Sequence, residues 1–598
     1  MTPSEIDRFA LDSATLKNWT REDGRHANWP VVYVLDGVGQ GRAGERSVYV
    51  GETRSAAARL RQHLASPAKK TLTRAHVVVD PTFNKSVCLD LESFLIRLLA
   101  GDGQYAVLNR NDGIVDSDYY ERARYGEAFD GVFEELLAEG VFTRSIPEIE
   151  NSDLFKLSPF KALTRDQAAV AADILDGLTE DLRSGIASTI VVQGEPGTGK
   201  TILAIYLLKL LADVAAFARR SERARAAGGE RGLEEAVDGD TLFSDYFLPG
   251  YREPLQSLRV GLVVPQQSLR ESIRKVFRRT PGLTADMVVT PFDVGADERR
   301  YDLLVVDESH RLNQRANQAS AAQNTRFRVI TERLFGEDDP SKTQLDWIRA
   351  QSDHQILLLD AEQAVRPADL PREVVDALLH AADNGHRRYR LASQMRVRAG
   401  ADYVGYVRRV LDPMSESVPT RPDLGEYDLR FFENLGDMRR EIRRREAESG
   451  LARLVAGYAW PWVSKGGTGR YDIEIDGVLL RWNSTQKDWI ASAGSLEEVG
   501  SIHTVQGYDL NYAGVIIGPD LRWDARARRL ALDRSSYHDK KGKENNPRLG
   551  RKYTDAELLQ FVTNIYGVLL TRGMLGTYVY VCDPVLREHL RAAFRAEP

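Results

Sequence analysis

Gly194-Glu195-Pro196-Gly197-Thr198-Gly199-Lys200-Thr201 stands between two apolar runs, residues 188–192 and 202–211, a pattern that predicts a strand, a glycine loop and a helix. In the spacing G-x-x-x-x-G-K-[ST], backbone N–H groups converge on phosphate oxygens, the lysine reaches the β- and γ-phosphates, and the hydroxyl binds Mg²⁺. A plain glycine turn would need neither Lys200 nor Thr201. The stretch therefore predicts a nucleotide site formed by Gly194, Gly197, Thr198, Gly199, Lys200 and Thr201.

The composition is that of an ordinary globular protein. The chain has 598 residues, 42% of them hydrophobic and 28% charged, which is enough for several domains. No apolar run approaches the roughly 20 residues of a membrane span, and the N-terminus lacks a signal-peptide pattern. We therefore expect a cytoplasmic protein with no membrane partner. Two cysteines exclude a disulfide framework, and a net charge of −6 means that any nucleic acid must bind in local basic grooves. The oligomeric state stays open.

The N-terminal part predicts a small mixed domain. Apolar residues around Tyr33 and Tyr49, separated by glycines 37, 39, 41 and 44, predict a β-hairpin. We also predict helices at 56–65 and 87–99, a strand at 76–79, and a short helix near residues 5–10. Arg59 and His63 are four residues apart and share one helix face. Glu92 borders an apolar face, where a carboxylate is costly without a partner.

These N-terminal residues resemble the GIY-YIG nuclease domain over roughly residues 30–112. The matching positions are Tyr33, Tyr49, Arg59, His63, Glu92 and Asn109. The resemblance implies that Glu92 holds one Mg²⁺ on the scissile phosphate and that Arg59 stabilises its developing charge. It also implies that the two tyrosines and His63 position or deprotonate the attacking water. The first motif departs from the family pattern, because Val31 and Val32 stand where glycine and isoleucine are usual.

A second strong signal lies at residues 301–310. A continuous apolar strand ends in Asp307 and Glu308, which predicts that Asp307 binds the Mg²⁺ shell and Glu308 orients and deprotonates water. Acidic residues after a strand also cap helices, but the upstream glycine loop favours the nucleotide interpretation. Another apolar strand, residues 355–359, leads to Gln363.

The ordered series after the glycine loop resembles the Schlafen-type branch of superfamily 1 helicase-like ATPases, over about residues 160–598. Residues 307–310, 454–462 and 503–507 carry the resemblance. It implies that Gln167 contacts adenine, Gln363 senses the γ-phosphate, and Gln506 couples nucleotide state to strand contact. It further implies that Arg396 reaches phosphate from a second domain, where Arg572 is the arginine finger.

Three other stretches leave alternatives open. Residues 218–252 are charged and glycine-broken, which predicts a mobile surface insertion. The basic residues 540–552 predict a loop that either contacts phosphate or is a flexible insertion. Clustered tryptophans can stack on bases, although a core or hairpin face is favoured for most of them. They are Trp460, Trp462, Trp482 and Trp489.

The expected fold class is α/β, with a small α+β nuclease domain followed by two RecA-like domains with parallel sheets. The predicted boundaries are an N-terminal extension at 1–29, the nuclease-like domain at 30–112, a helical linker at 113–160, and RecA-like domains at 161–385 and 386–598.

The favoured function is an ATP- and Mg²⁺-dependent enzyme that joins an endonuclease to a helicase or translocase motor. DNA is preferred over RNA as the partner, and defence against foreign DNA is one possible setting. Two alternatives stay open. The first is an ATP-gated nucleic-acid sensor with an inactive N-terminal domain, and the second is a nuclease that targets RNA, for example tRNA.

Overall fold

The computed structural model describes residues 5–38, 46–66, 69–110, 118–226, 243–315, 318, 320–361, 363–399, 402–465, 469–485, 489–505 and 508–595. The chain divides into two compact units. The first consists of Met1–Leu175, Ile202–Ser257 and Ser272–Met287, and the second consists of Asp176–Thr201, Leu258–Glu271 and Val288–Pro598.

A five-stranded sheet forms the centre of the N-terminal region. Its elements are β1 (Glu5–Ala10), α1 (Ser13–Glu22), β2 (Val31–Val38), β3 (Arg46–Thr53), α2 (Ala56–Ala65), β4 (Arg74–Val79), α3 (Lys85–Asp102), β5 (Tyr105–Val107), α4 (Arg122–Ala138), α5 (Ile146–Glu150) and α6 (Asp153–Lys156). The strand order is β1-β4-β2-β3-β5, and only the β3–β5 pair is parallel. The central strand β2 is buried along all but its last residue; its apolar run covers residues 31–35 and is followed by the buried Asp36.

The predicted helix near residues 5–10 is wrong. These residues form β1, which pairs antiparallel with β4 from Glu5 opposite Val79 to Ala10 opposite Arg74. The edge of β4 satisfies their backbone groups, a long-range contact that outweighs local helix propensity. The helix begins later, at Ser13, where Asp12 accepts hydrogen bonds from two backbone N–H groups. Residues 5–10 therefore belong to the N-terminal sheet and are not a separate extension.

The first parallel sheet carries the glycine loop. The elements from here to its last strand are α7 (Arg165–Ser184), β6 (Ser188–Gly194), α8 (Lys200–Ala226), α9 (Pro249–Leu255), β7 (Val260–Val263), α10 (Gln267–Arg279), β8 (Val288–Val289), α11 (Pro291–Ala296), β9 (Tyr301–Val306), α12 (Ala321–Phe335), α13 (Gln344–Ala350), β10 (Ser352–Leu359), α14 (Arg372–Asn384) and β11 (Arg388–Leu391). Six strands run parallel in the order β11-β6-β10-β9-β7-β8. Since β10 lies between β6 and β9, the glycine loop and the acidic pair follow strands at one sheet edge, where α/β folds bind ligands.

A second parallel sheet occupies the C-terminal part. Its elements are α15 (Tyr403–Val410), β12 (Asp428–Phe431), α16 (Leu435–Ser449), β13 (Ala452–Ala456), β14 (Ile473–Ile475), β15 (Val478–Trp482), β16 (Glu498–Ser501), α17 (Ile502–Val505), β17 (Leu510–Ile517), β18 (Leu521–Asp524), β19 (Arg529–Leu532), α18 (Asp555–Leu570), β20 (Gly573–Val581) and α19 (Pro584–Phe594). The order is β12-β20-β17-β13-β16-β15-β14, and only β14 runs antiparallel to its neighbour. The predicted α/β class, with parallel RecA-like sheets, is confirmed.

Helix α8 corrects two predictions: that no apolar run approaches the length of a membrane span, and that residues 218–252 form a mobile insertion. The stretch Lys200–Arg223 is long and apolar enough to cross a membrane by length and composition, although 78% of its most apolar window is buried within the protein. Its two central charges, Lys209 and Asp213, pair one helical turn apart at 2.5 Å. The helix also continues to Ala226, into the predicted mobile insertion.

The far end of that predicted insertion is packed as well. Phe243, Tyr246 and Phe247 are buried, and α9 follows them. Residues 227–242 lie outside the described part of the chain.

The tryptophans lie in or against the core, whereas the two alternatives for the basic segment stay open. Trp482 and Trp489 are fully buried, while Trp460 and Trp462 are partly buried against the core beside β15. Residues 540–552 contain only a short 3₁₀ helix, so most of this segment is the predicted loop.

Candidate functional site

The glycine loop has the backbone conformation that its sequence requires. Gly197 and Gly199 have φ angles of +86° and +78°, in the left-handed region that favours glycine. A Cβ atom on Gly197 would lie only 2.2 Å from the Gln394 Oε1 atom. The buried Lys200 Nζ donates to the carbonyls of Gly194 and Glu195, at 2.7 and 2.9 Å. The loop therefore closes around the ammonium group that its motif predicts for phosphate binding.

The predicted Mg²⁺ ligands lie together. The Thr201 hydroxyl donates to Asp307 Oδ2 over 2.7 Å, so the hydroxyl and the carboxylate that follow two different strands meet at one point. Burial and the neighbouring Glu308 raise the pKa of Asp307, while the Thr201 hydrogen bond opposes that rise. Hard oxygen donors of this kind suit Mg²⁺.

Glu308 is held in an unusual backbone conformation. Its φ is +49°, in the left-handed region, which costs a non-glycine residue about 1–3 kcal/mol. Burial opposes ionisation of the Glu308 carboxyl, but the facing His310 and Arg311 lower its pKa.

His310 joins Glu308 to the end of β10. The Asp360 backbone N–H donates to His310 Nδ1 over 3.2 Å, and Nε2 of the same ring lies 3.1 Å from Glu308 Oε2. Gln363 Nε2 donates to Asp360 Oδ2 over 2.8 Å. The predicted γ-phosphate sensor and the predicted water-activating carboxylate are therefore linked through Asp360 and His310.

The segment after β11 contacts the glycine loop directly. The Met395 N–H donates to the Gly197 carbonyl over 2.8 Å, and Gln394 Nε2 donates to the Pro196 carbonyl over 2.7 Å. Arg396, the next residue, therefore lies beside the loop.

Arg396 and Arg572 come together near the loop. Arg396 Nε pairs with Asp509, and Arg572 Nη1 donates to the Tyr508 carbonyl over 3.2 Å. Arg572 is only 3% exposed; burial and the nearby Arg396 lower its pKa to about 9. Within the described ranges, Arg396 Nη1 and Arg572 Nε are buried without a hydrogen-bond partner. Two cationic donors are thus available to an anion.

Two other predicted nucleotide residues stay predictions. Gln506 lies outside the described residues. Gln167 is buried at the start of α7, where its Oε1 accepts from the Thr164 N–H over 3.0 Å. This contact gives Gln167 a role at the helix start and leaves its predicted contact with adenine untested.

Sequence reasoning missed one arginine at this site. Arg408, on α15, pairs with Glu195 of the glycine loop at 2.5 Å and lies 3.5 Å from Asp360. No sequence signal marks it, because an arginine on an amphipathic helix is usually a solvated charge.

A second polar cluster occupies the N-terminal sheet. The buried hydroxyl of Tyr33 lies 2.8 Å from His63 Nε2, and the Tyr49 and His63 rings are 5.1 Å apart. Arg59 lies beside both tyrosine hydroxyls. Burial and the nearby Glu92 carboxylate raise the pKa of Tyr49. The structure therefore brings the predicted tyrosines, arginine, histidine and glutamate together.

Asn109 has a different place. Its Oδ1 accepts from the Val50 N–H over 3.1 Å, and its Nδ2 donates to the Val50 carbonyl over 2.8 Å. Both ends of the amide thus hold the backbone of β3 beside Tyr49, and the predicted catalytic role of Asn109 stays a prediction. In the described part of the chain, no three His, Cys, Asp or Glu side chains form a metal-ligand cluster.

Lys69 was missed in this second cluster. Its Nζ lies 2.9 Å from His63 Nδ1 and 3.1 Å from the centre of the Tyr49 ring. Burial, with Arg59 and Arg110 nearby, lowers its pKa to about 6. A lysine in a loop after a helix gives no sequence signal for such a contact.

Parallel RecA-like sheets with a glycine loop, a facing acidic pair and converging arginines define a helicase-like P-loop domain. The family model of the Schlafen group 3 DNA/RNA helicase domain matches residues 187–583, about two thirds of the chain, and the chain belongs to this family. The predicted Schlafen-type helicase resemblance is therefore confirmed.

Two individual proteins are also similar to the chain. Uncharacterized protein YPL245W of Saccharomyces cerevisiae is 27% identical over 312 residues, which are 48% of this chain and 64% of the yeast protein. The crystal structure of Pif1 helicase from Bacteroides with ADP-AlF3 and ssDNA is 10% identical and covers 67% of this chain and 91% of its own. The TM-score of this comparison is 0.23.

Proposed function

We propose that the chain is an ATP-dependent nucleic-acid enzyme in which a helicase or translocase motor works with a Mg²⁺-dependent endonuclease. The motor would be formed by the regions 161–385 and 386–598, and the nuclease by the N-terminal sheet. The convergence of Lys200, Arg396 and Arg572 near the glycine loop carries the motor assignment.

ATP hydrolysis follows from the residues of this cleft. Lys200 would hold the β- and γ-phosphates, and Glu308 would orient the water and accept its proton. Thr201 and Asp307 supply oxygen donors for Mg²⁺, which when bound would neutralise phosphate charge. The unpartnered N–H groups of Arg396 and Arg572 would donate to the phosphate oxygens as negative charge grows on them.

ATP turnover with single-stranded DNA, duplex DNA or RNA tests the motor. Wild-type protein is expected to hydrolyse ATP faster with nucleic acid, and Lys200→Ala is expected to lose this turnover. Lys342→Ala, at a partly exposed pair with Asp339, is the matched control. ATP hydrolysis that persists in Lys200→Ala, or that no nucleic acid accelerates, would refute the motor assignment.

The nuclease proposal is supported by the Tyr33, Tyr49, Arg59, His63 and Glu92 cluster. Arg59 would stabilise charge on the scissile phosphate, while Glu92 would hold one Mg²⁺. The phenols and His63 would position the attacking water and move its proton.

Cleavage of labelled DNA and RNA with Mg²⁺ tests the nuclease. Glu92→Ala is expected to abolish cutting, whereas Glu134→Ala, on the exposed side of α4, is expected to cut normally. Cutting by Glu92→Ala at the wild-type rate would remove the nuclease assignment.

DNA is the preferred substrate in this proposal, and restriction of foreign DNA is a setting that such a pairing suits. Selective cleavage of tRNA or other RNA would favour the RNA-targeting alternative. ATP-dependent nucleic-acid binding without any cleavage would favour the sensor alternative.

A further inference from the structure

Three side chains of the N-terminal cluster form a continuous hydrogen-bonded row. Tyr33 on β2 meets His63 Nε2 at 2.8 Å, and Lys69, in the loop after α2, meets His63 Nδ1 at 2.9 Å. His63 is 5% exposed and Tyr33 is fully buried. The row therefore runs from a buried phenol to an amine through both nitrogens of one ring.

A neutral imidazole carries one proton, which gives the row two alternative arrangements. When Lys69 is an ammonium ion, it donates to Nδ1, and the ring donates from Nε2 to the Tyr33 oxygen. When Lys69 is a neutral amine, Nδ1–H donates to Nζ, and the Tyr33 hydroxyl donates to Nε2. The two arrangements differ by one proton on Lys69 and by the tautomer of His63.

Of the three side chains in the row, Lys69 is the one whose surroundings let it gain and lose a proton most readily. Burial, with Tyr49 nearby, keeps the pKa of Tyr33 well above 10, so its phenolate is disfavoured. Burial, Lys69 and Arg59 lower the pKa of His63 to about 3, so an imidazolium is also disfavoured. The pKa of Lys69 is lowered to about 6, which leaves it able to exchange a proton near neutral pH.

The groups around Lys69 allow both of its charge states. His63 and Arg59 face it from α2, Arg110 acts on it from beyond β5, and the Tyr49 ring of β3 lies against Nζ. The two arginines disfavour the ammonium form, whereas the aromatic face attracts it. Both the ammonium form and the neutral amine form of Lys69 are thus accessible.

We propose that Lys69 is the final acceptor of the proton removed from the attacking water, by way of Tyr33 and His63. This inference rests on the proposed nuclease. As the water oxygen bonds to phosphorus, its proton passes to the Tyr33 oxygen, the phenol proton passes to Nε2, and the Nδ1 proton passes to Nζ. The bond from phosphorus to the leaving oxygen breaks, and that oxygen takes a proton from solvent.

The test compares Lys69→Arg and Lys69→Met with Lys70→Met, an exposed neighbour, in the full chain. Lys69→Arg keeps a positive charge but cannot accept a proton near neutral pH. It is expected to cut at least about a hundredfold more slowly at every pH, because proton transfer contributes about 10²–10⁴-fold. The cleavage rate of wild type is expected to decrease at pH values below about 6, because Lys69 becomes protonated there. Lys69→Arg that cuts within threefold of wild type with the same pH profile would overturn the proposal.

A second readout does not depend on cleavage. In protein labelled with ¹⁵N-histidine, and with His63 assigned by His63→Gln, the ring is expected to be the Nε2–H tautomer at pH 5 and the Nδ1–H tautomer at pH 8. Lys69→Met is expected to abolish this switch. A His63 ring that keeps one tautomer in wild type would also overturn the proposal. If wild type cuts no nucleic acid, the nuclease proposal fails, and the tautomer measurement still decides whether the row exchanges protons.

Discussion

Replacing Arg572 with glutamine separates a catalytic role from a structural one. Arg572 lies between α18 and β20, and its backbone carbonyl accepts from the Leu510 N–H over 3.1 Å. Glutamine keeps these backbone contacts. It loses the side-chain bond to the Tyr508 carbonyl, which is worth about 1 kcal/mol. It also removes a buried cation.

The expected magnitudes have opposite signs for activity and stability. The pKa of Arg572 falls from 12.5 to about 9, mainly through burial, which corresponds to a charging penalty of about 5 kcal/mol in the folded state. The penalty is fully present at pH 7, below the folded pKa, and disappears only as the pH rises from about 9 to 12.5. Arg572→Gln should therefore be no less stable than wild type at pH 7. An arginine finger contributes about 10³–10⁵-fold to turnover, so kcat for ATP should fall by at least about a thousandfold.

Steady-state ATP hydrolysis measures the turnover, and urea unfolding measures the stability, both on one preparation. Arg409→Gln, at an arginine whose side chain is 59% exposed, is the matched control and should change neither of them. ATP turnover by Arg572→Gln within tenfold of wild type would refute the role of Arg572 in hydrolysis. If Arg572→Gln loses both stability and ATP turnover, Arg572 is instead a structural residue.

Three further predictions follow from single contacts. Glu308→Gln should still bind ATP with an affinity within about threefold of wild type, while turnover falls by about 10²–10⁴-fold, as single-turnover kinetics and equilibrium binding would measure. Gly197→Ala should lose nucleotide binding in the same assay, because its Cβ would lie 2.2 Å from Gln394 Oε1 and its φ is +86°; binding at the wild-type affinity would contradict the loop geometry. Asp36, fully buried, faces Arg46, Arg74 and His76; burial opposes the ionised form, but these partners lower its pKa to about 2. That shift stabilises the fold by about 2 kcal/mol above pH 4, and this stabilisation is lost as the pH falls to about 2. The free energy of unfolding of Asp36→Asn, measured with urea, should therefore approach that of wild type only in acid.

The nucleotide cleft was largely predictable because its chemistry is tied to local sequence. The glycine spacing of residues 194–201 dictates a backbone shape, and a buried strand before Asp307 dictates which sheet edge that carboxylate occupies. Thr201 and Asp307 meet because β6 and β9 flank β10 in one parallel sheet, so the segments that follow these two strands leave the same edge.

The rest depends on contacts between distant segments, which no local pattern encodes. β1 is a strand because β4 lies beside it. Lys69 is only six residues from His63, but its place against the Tyr49 ring depends on β3. Arg408 looks like any exposed helical arginine until Glu195 is placed against it. Asn109 matched a motif position, and only the folded chain shows that its amide hydrogen-bonds to both backbone groups of Val50.

The proposed function joins a P-loop motor to a nuclease in the N-terminal cluster, so ATP hydrolysis is expected to drive cleavage. Its most direct test is the rate of DNA cleavage by wild-type protein and by Lys200→Ala, with ATP and Mg²⁺, and with Glu92→Ala as the cleavage-dead reference. Wild type is expected to cut, and Lys200→Ala is expected not to cut above the level of Glu92→Ala. Equal cutting by wild type and Lys200→Ala would contradict this expectation.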